Sequence, residues 1–482
     1  METVKEYIGY WYLPNDKKNK VYGILNIDEN NKLKLNLCGV FGELKEQFNY
    51  ENIKAINGFT QCGKKITLLE NIVVDFNLKS PGISSKSYKP KYMIIGEHFN
   101  SVDEIKINSV SSKYTDLSKW INIAPFERKM EEKEKEFVLK YKLPEQRTYK
   151  LKDKTVKISF NATMNGDFLK KCVIYQETLI NFEDLEEKRF NLVLDLINDF
   201  SEFLTLCIGE TISPYDIQAI TEKGNNISVT WSGMLLKEDS KKTLYNILVP
   251  YPLIQDMFKV CLENWYEKNE KLKPIINYVV EAYEKVFYVP MSFLKIIQAF
   301  EAFSRRMRNN CKIDLREHQD RINYIINRID NEDYKKWLED KLRYSNEPNL
   351  NSRIKELFTE LDFIINMSGK DKKRIANMIT LTRNYYTHFD ESNKENAMNV
   401  NQIFYISKYL LLGLRVLIMI ELGLDKKLIR NQIDSSNELF FLNNLINSFK
   451  LKIKEKDIIT KELEKAIKNI DEKLIKPKDM IE

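Results

Sequence analysis

Residues 21–27 and 32–38 alternate apolar and polar side chains, and the run Asp28-Glu29-Asn30-Asn31 between them consists of turn formers. Alternation with period two puts one face of a strand into a core and the other into solvent, so this stretch predicts a β-hairpin. The same reasoning predicts strands over residues 65–69, 72–76, 92–96, 104–109, 155–160, 172–179 and 227–231. Within them lies one helix over residues 185–208, whose Phe190, Leu194, Ile197, Phe200, Leu204 and Cys207 recur at helical spacing. After about residue 245 the period changes. Helical patterns follow over residues 253–271, 274–288, 291–308, 316–329, 354–367, 368–388, 400–424 and 437–471, the last read as a packing or dimer-contact helix. The fold class is therefore α+β. A β-rich half (residues 1–245, divisible into 1–125 and 146–245) precedes an all-α helical bundle (residues 246–482).

Composition sharpens this picture only locally. A chain of 482 residues is too long for a single core and divides into two or three domains. With 76 basic against 70 acidic residues the net charge is only +6, so any nucleic-acid site must come from local clustering. The charge run over residues 128–136 reads as a solvated linker or helix face. Six cysteines are scattered without a Cys-x-x-Cys pair or a Cys/His cluster, which predicts a reducing compartment, no structural zinc and no disulfide framework. The opening residues lack the apolar core of a signal peptide, and the apolar stretch 409–424 is interrupted by Arg415 and Glu421. A buried bundle helix and a cytoplasmic protein without a membrane partner are expected. Only 15 glycines are present, and no phosphate-cradling loop, Ser-nucleophile elbow or His-Glu-x-x-His occurs, so neither cofactor nor metal is expected.

Candidate chemistry is concentrated in the helix over residues 368–388. Ser368 and Asp371 have the spacing of a capping box, and Ile375, Met378, Ile379, Thr382, Tyr386 and Phe389 form one apolar stripe. At its polar end stands Arg383-Asn384-Tyr385-Tyr386-Thr387-His388. Imidazole exchanges protons near neutral pH, and guanidinium grips phosphate through a planar fork whose charge is permanent. Those are the two groups that metal-free RNA cleavage requires. Histidines are scarce, His98, His318 and His388 being all the chain contains. An Arg-x4-His spacing recurs by chance in helical proteins, so its surroundings must decide. One difficulty is angular: at about 100° per residue, His388 lies about 140° round the helix from Arg383. It would be met if the helix ended near His388, which the polar run after Phe389 favours, or if a second subunit supplied its own copy across a two-fold axis. Lys372, Lys373 and Arg374 upstream, and Arg305 and Arg306 at the end of the helix over 291–308, offer candidate phosphate contacts. Tyr385 is a candidate for stacking on an unpaired base, whereas Tyr386 is expected in the core.

Arg383, Asn384 and His388 match the R-x(4–6)-H motif of HEPN ribonucleases, including the polar residue after the arginine. The surrounding residues 381–390 and the helix over 293–306 resemble the C-terminal domain of ApeA-type HEPN proteins. Residues 9–14, 21–25 and 37–42 are similar to that family's N-terminal domain. One departure is Ser304, where the family is expected often to carry a histidine. The resemblance implies an anti-phage, abortive-infection endoribonuclease that cuts host RNA, tRNA among the candidates, without metal and as a homodimer through the helical domain. It assigns proton transfer to His388, charge stabilisation to Arg383 and phosphate orientation to Asn384, and it gives the β-rich half a phage-derived trigger or a restraining role. A non-cleaving HEPN module that binds nucleotide, RNA or protein is the alternative, and a purely structural helical scaffold a third reading.

Overall fold

The computed structural model describes residues 3–42, 52–79, 81–131, 136–234, 246–283, 289–389, 391 and 394–451. Its contacts divide the chain into two compact units, Met1–Leu244 with Pro250–Glu263, and Tyr245–Val249 with Asn264–Glu482.

In the first unit, six strands close into a barrel. They are β1 (Thr3–Leu13), β2 (Asp16–Asp28), β3 (Leu33–Leu37), β4 (Ile53–Thr60), β5 (Lys65–Asn77) and β6 (Ser85–Ile95), in the cyclic order β6-β3-β2-β1-β4-β5. The predicted hairpin is β2–β3, in register from Gly23 opposite Leu37 to Ile27 opposite Leu33. Alternation sends Tyr7, Trp11, Leu25, Leu35, Ile56, Ile66 and Leu68 inward to fill the barrel. Trp11 is fully buried; its ring lies where Gly58 would carry a Cβ, and its indole N–H donates to the Gly23 carbonyl at 3.1 Å. Any side chain at Gly58 would collide with that ring.

The two strands predicted over 65–69 and 72–76 are one, β5, with Glu70 in the left-handed region (φ 54°). Strand β6 changes partner along its length: Lys86–Tyr88 pairs with β3, and Tyr92–Ile95 pairs with β14 (Asn226–Trp231). Pro90, which has no N–H to give, falls between the two pairings. From β14 the sheet continues through β13 (Pro214–Thr221), β7 (Ile107–Tyr114), β12 (Cys172–Glu183), β11 (Thr155–Gly166) and β10 (Arg147–Lys150). Helix α2 (Phe190–Ile208) covers this extension; its Phe200 packs on Tyr114 and Phe182, and the Tyr114 hydroxyl donates to the Ile197 carbonyl at 3.2 Å. A separate hairpin, β8 (Phe126–Glu131) with β9 (Glu136–Tyr141), corrects the expectation of a linker or helix face over 128–136. Cross-strand pairing satisfies the backbone there despite the charges.

An aromatic cluster closes the unit. Trp120 of α1 (Leu117–Ile121) meets Phe203, Tyr251 of α3 (Tyr251–Ile254), and Phe258 at the start of α4 (Phe258–Tyr283), at ring separations of 5.4–6.0 Å.

Helix α4 runs through Pro274, joining what the pattern had divided at that residue. The second unit continues with α5 (Val289–Met307), α6 (Leu315–Ile326), α7 (Glu332–Leu342), α8 (Leu350–Glu360), α9 (Gly369–His388), α10 (Val400–Glu421), α11 (Lys426–Asp434) and α12 (Glu438–Phe449). The parts of the predicted helices that fall on 284–288 and 452–471 lie outside the described residues. Helix α10 starts with a complete capping box between Asn399 and Gln402 and is buried on almost every side from Ile406 to Met419. Among the described residues it is the one helix long and apolar enough to cross a bilayer, and 78% of its apolar window is buried inside the protein. Packing against its neighbours accounts for its hydrophobicity. Arg308 ties the unit together polarly, bonding Glu360 at 2.7 and 2.8 Å and Glu421 at 2.7 Å.

Candidate functional site

Helix α9 carries the Arg/His motif, and its two ends are fixed by different devices. At the start, the Ser368 hydroxyl accepts from the Asp371 N–H at 3.1 Å and donates to the Asp371 carboxylate at 2.8 Å. At the finish, Phe389 enters the left-handed region (φ 51°) and donates its N–H to the Tyr385 carbonyl at 2.6 Å. Ile375, Ala376, Ile379 and Thr382 are buried and seat the helix in the bundle. Thr382 also pins the chain that returns after the motif, because its hydroxyl accepts from the buried Met398 N–H at 2.9 Å. Thr382→Val keeps the shape and removes that acceptor. It is expected to destabilise the helical unit by ~1–3 kcal/mol, the cost of leaving a buried N–H unpaired; an unchanged midpoint in urea unfolding would show that the bond contributes nothing.

Three polar residues occupy the end of α9. His388 is exposed and is the last helical residue, so the helix stays intact through the whole motif. Arg383 and Asn384 are half-buried, and the Arg383 guanidinium donates to the Asn384 side-chain oxygen at 3.1 Å. That bond bears directly on the angular difficulty. Asn384 stands four residues before His388, on the same stripe of the helix to within about 40°. Arg383 lies off the stripe, but its guanidinium is drawn round to Asn384 and so to the edge of the His388 face. Among the described residues no hydrogen bond or ion pair joins Arg383 to His388 directly.

Beside the motif, Tyr385 is half-buried, with its ring edge-on to Tyr386 at 5.0 Å and to Phe389 at 6.1 Å. Tyr386 is also half-buried, which corrects its expected place in the core: the apolar stripe is covered only as far as Thr382. Phe389, 66% exposed, continues this aromatic edge.

The candidate phosphate contacts divide by what already holds them. Lys372, its side chain only 12% exposed, pairs with Asp362 and donates to the Thr359 hydroxyl at 3.2 Å. Arg374 bonds Asp371 at 3.1 Å and the Phe449 carbonyl at 2.6 Å. Arg305 pairs with Glu301 at 3.1 Å and with Glu347. The charge these three would offer to RNA is already committed within the chain. Lys373 and Arg306 are exposed, and among the described residues Arg306 reaches only the Lys271 carbonyl, at 3.5 Å. Of these two, Lys373 lies on the stripe of α9 that ends in His388.

Ser304 is buried and accepts from the guanidinium of Arg353 at 3.3 Å. Arg353 is 1% exposed and also bonds Asn310 and, at 3.4 Å, Glu347. The residue that departs from the expected histidine therefore supports a buried arginine of α8.

The other two histidines are engaged elsewhere. His98 is held between the Tyr12 hydroxyl at 3.1 Å and the Gly58 carbonyl at 3.0 Å, and burial pushes its pKa down. His318 bonds the Ser345 hydroxyl at 3.1 Å. Among the described residues no three His, Cys, Asp or Glu side chains are grouped closely enough to hold a metal ion.

A family model described as ApeA N-terminal domain 1 matches residues 6–265, and one described as Apea-like HEPN matches residues 294–428. The first match takes in Tyr251 and Phe258, the residues that complete the aromatic cluster of the β-rich unit. The second runs from within α5 into α11 and contains the whole of α9. Comparison with curated proteins and with solved structures finds no match.

Proposed function

Because the chain belongs to the ApeA family and carries its HEPN domain, we propose that it is a metal-independent endoribonuclease of anti-phage defence whose chemistry resides at Arg383, Asn384 and His388. The observation that carries this reading is the placement of those three residues at the outer end of α9, inside the HEPN match. There the Arg383 guanidinium bonds the Asn384 amide, and the exposed His388 follows on the same stripe of the helix.

In the proposed reaction the ribose 2′-hydroxyl attacks the adjacent phosphorus. The 2′-oxygen–phosphorus bond forms and the bond to the 5′-oxygen breaks, leaving a 2′,3′-cyclic phosphate and a 5′-hydroxyl. One imidazole takes the 2′-hydroxyl proton, and a second proton donor protonates the departing 5′-oxygen. Arg383, steadied by Asn384, neutralises the charge that builds on the phosphate oxygens. Each copy offers one exposed histidine on α9, so the second proton donor is the His388 of another copy, in a homodimer formed through the helical half. The exposed Phe389 is suited to burial in that contact. The β-rich half holds its own core and, among the described residues, no comparable polar constellation. In this reading it senses a phage-derived trigger and restrains a nuclease that acts on host RNA in the cytoplasm as part of abortive infection.

The test is incubation of the purified full-length protein with total RNA in EDTA. Fragments with cyclic phosphate at one end and 5′-hydroxyl at the other are expected, together with a dimeric mass by light scattering. Intact RNA after incubation with the triggered protein would leave the chain a non-cleaving binder. A monomeric mass under conditions of full cleavage would remove the shared site.

A further inference from the structure

We infer that the polar groove between the start of α8 and the outer face of α9 is a binding track for single-stranded RNA, with the Asn351–Asn377 amide pair reading an unpaired base upstream of His388. This inference rests on the nuclease reading above and adds to it where the strand lies.

The groove has a volume of about 520 Å³, and its walls include Asn349, Asn351, Ser352 and Lys355 on one side and Asn377 and Thr380 on the other. Among the described residues its lining holds no carboxylate and one apolar side chain, Leu381. Neutral amides, hydroxyls and one lysine suit a polyanion whose bases offer hydrogen bonds.

Its direction follows from the helical repeat. At about 100° per residue, Lys370, Lys373, Asn377, Thr380, Asn384 and His388 fall within about 80° of arc on α9. One polar stripe therefore runs from two exposed lysines, through the groove, to the Arg383–Asn384–His388 end. Asn377 precedes His388 by about 16 Å along the axis. A strand laid on the stripe meets cations first, the amides next and the candidate chemistry last.

Hydrogen-bond accounting picks out the amide pair. The Asn351 side chain donates to the Asn377 side-chain oxygen at 2.5 Å. That bond uses one donor of Asn351 and the acceptor of Asn377. It leaves the bonded pair one further acceptor, the Asn351 oxygen, and one further donor group, the Asn377 amine. Such a pair is complementary to the edge of a base that carries the reverse order, as amide side chains are to adenine. Only a base splayed out of a helix can present that edge here, because an A-form duplex uses its Watson–Crick edges in pairing and keeps its major-groove edges in a deep, narrow groove. The hydroxyl of Thr380 is turned back to the Ala376 carbonyl at 2.8 Å, so the amides and Lys355 carry the recognition.

The experiment measures binding of a fluorescein-labelled, mixed-sequence single-stranded oligoribonucleotide by anisotropy. Full-length His388→Ala protein serves as the non-cutting parent, and cleavage is assayed in parallel with His388 intact. Asn351→Ala/Asn377→Ala and, separately, Lys355→Glu are expected to weaken binding by at least about tenfold. Lys336→Glu, on the exposed surface of α7, makes the same charge change outside the groove and should leave binding unaltered. Light scattering should give the parent's mass for each variant. Groove variants that bind as tightly as the parent overturn the track, as does a parent that binds no oligoribonucleotide. A fall in mass in the groove variants would assign this face to the second copy instead, which also overturns it. The nuclease reading is separable from these outcomes. Undiminished cleavage by His388→Ala with groove-dependent binding removes the chemistry and keeps the track; cleavage lost in His388→Ala with binding indifferent to the groove does the reverse.

Discussion

His388→Ala is expected to cut RNA ~10²–10⁴-fold more slowly than the unaltered chain, the usual contribution of one positioned acid–base group. Arg383→Ala should lose ~10²–10³-fold, as when one charge-stabilising donor is removed from a transition state. Neither change should unfold the protein. His388 is exposed, and among the described residues the Arg383 side chain bonds only its neighbour Asn384; substitutions that remove no core packing usually stay within about 0.5 kcal/mol. Loss of cleavage with an unchanged melting midpoint therefore isolates the chemistry. Arg383→Lys is informative because it keeps the charge and discards the planar fork. It should recover only a part of the rate, since a lysine cannot lean on Asn384 and hold a phosphate with the same geometry. Asn384→Ala frees the guanidinium from the His388 stripe and should reduce the rate less than either single loss. If folded His388→Ala cuts RNA as fast as the unaltered chain, the assignment of the site is wrong.

How far the sequence disclosed this molecule depends on which physical signal each element carries. The β2–β3 hairpin was legible because its turn and its alternation agree. Helices α5, α9 and α10 were legible because each shows a full helical period, and α9 and α10 open on good caps. Strand β1 was not read, since Tyr10, Trp11 and Tyr12 are consecutive aromatics that mask the alternation. Strands β8 and β9 carry lysine, arginine and glutamate and are held by backbone pairing, which composition does not report. Closure of β5 onto β6 and the change of partner at Pro90 are tertiary facts with no local signature.

At the site, the position of Arg383, Asn384 and His388 at a helix end could be read from spacing, and so could the angle between Arg383 and His388. The Arg383–Asn384 bond could not, because it depends on a rotamer. Nor could the sequence show that Lys372 and Arg305 are already held by Asp362, Glu301 and Glu347; those carboxylates lie as much as 42 residues away in the chain. The Asn351–Asn377 pair spans 26 residues and joins two helices, so it emerges only from the packing of α8 on α9.

Phe258→Ala is expected to destabilise the β-rich unit by ~3–5 kcal/mol, the usual cost of deleting a buried phenyl ring. The sequence pattern places Phe258 in a helix of the C-terminal half, yet the side chain is fully buried in the first unit. Its ring meets Trp120 at 5.7 Å, Tyr149 at 4.9 Å, Tyr251 at 5.5 Å and Phe203 at 6.1 Å. Such contacts are mostly edge-on or tilted and add to the burial itself. Alanine at this point opens a cavity walled by four rigid rings that cannot collapse into it, which places the cost at the upper end of the range. For a unit of this size the thermal midpoint should fall by about 6–20 °C. Phe258→Leu fills most of the volume and should cost under about 1.5 kcal/mol. Tryptophan fluorescence follows the event directly, because Trp120 is buried in the same cluster. An alanine variant that melts within about 2 °C of the unaltered chain would contradict the observed core, at a precision well inside the smallest shift expected. A large drop, with leucine close to the parent, would fix Phe258 as part of the β-rich core, in keeping with an N-terminal family match that continues to residue 265.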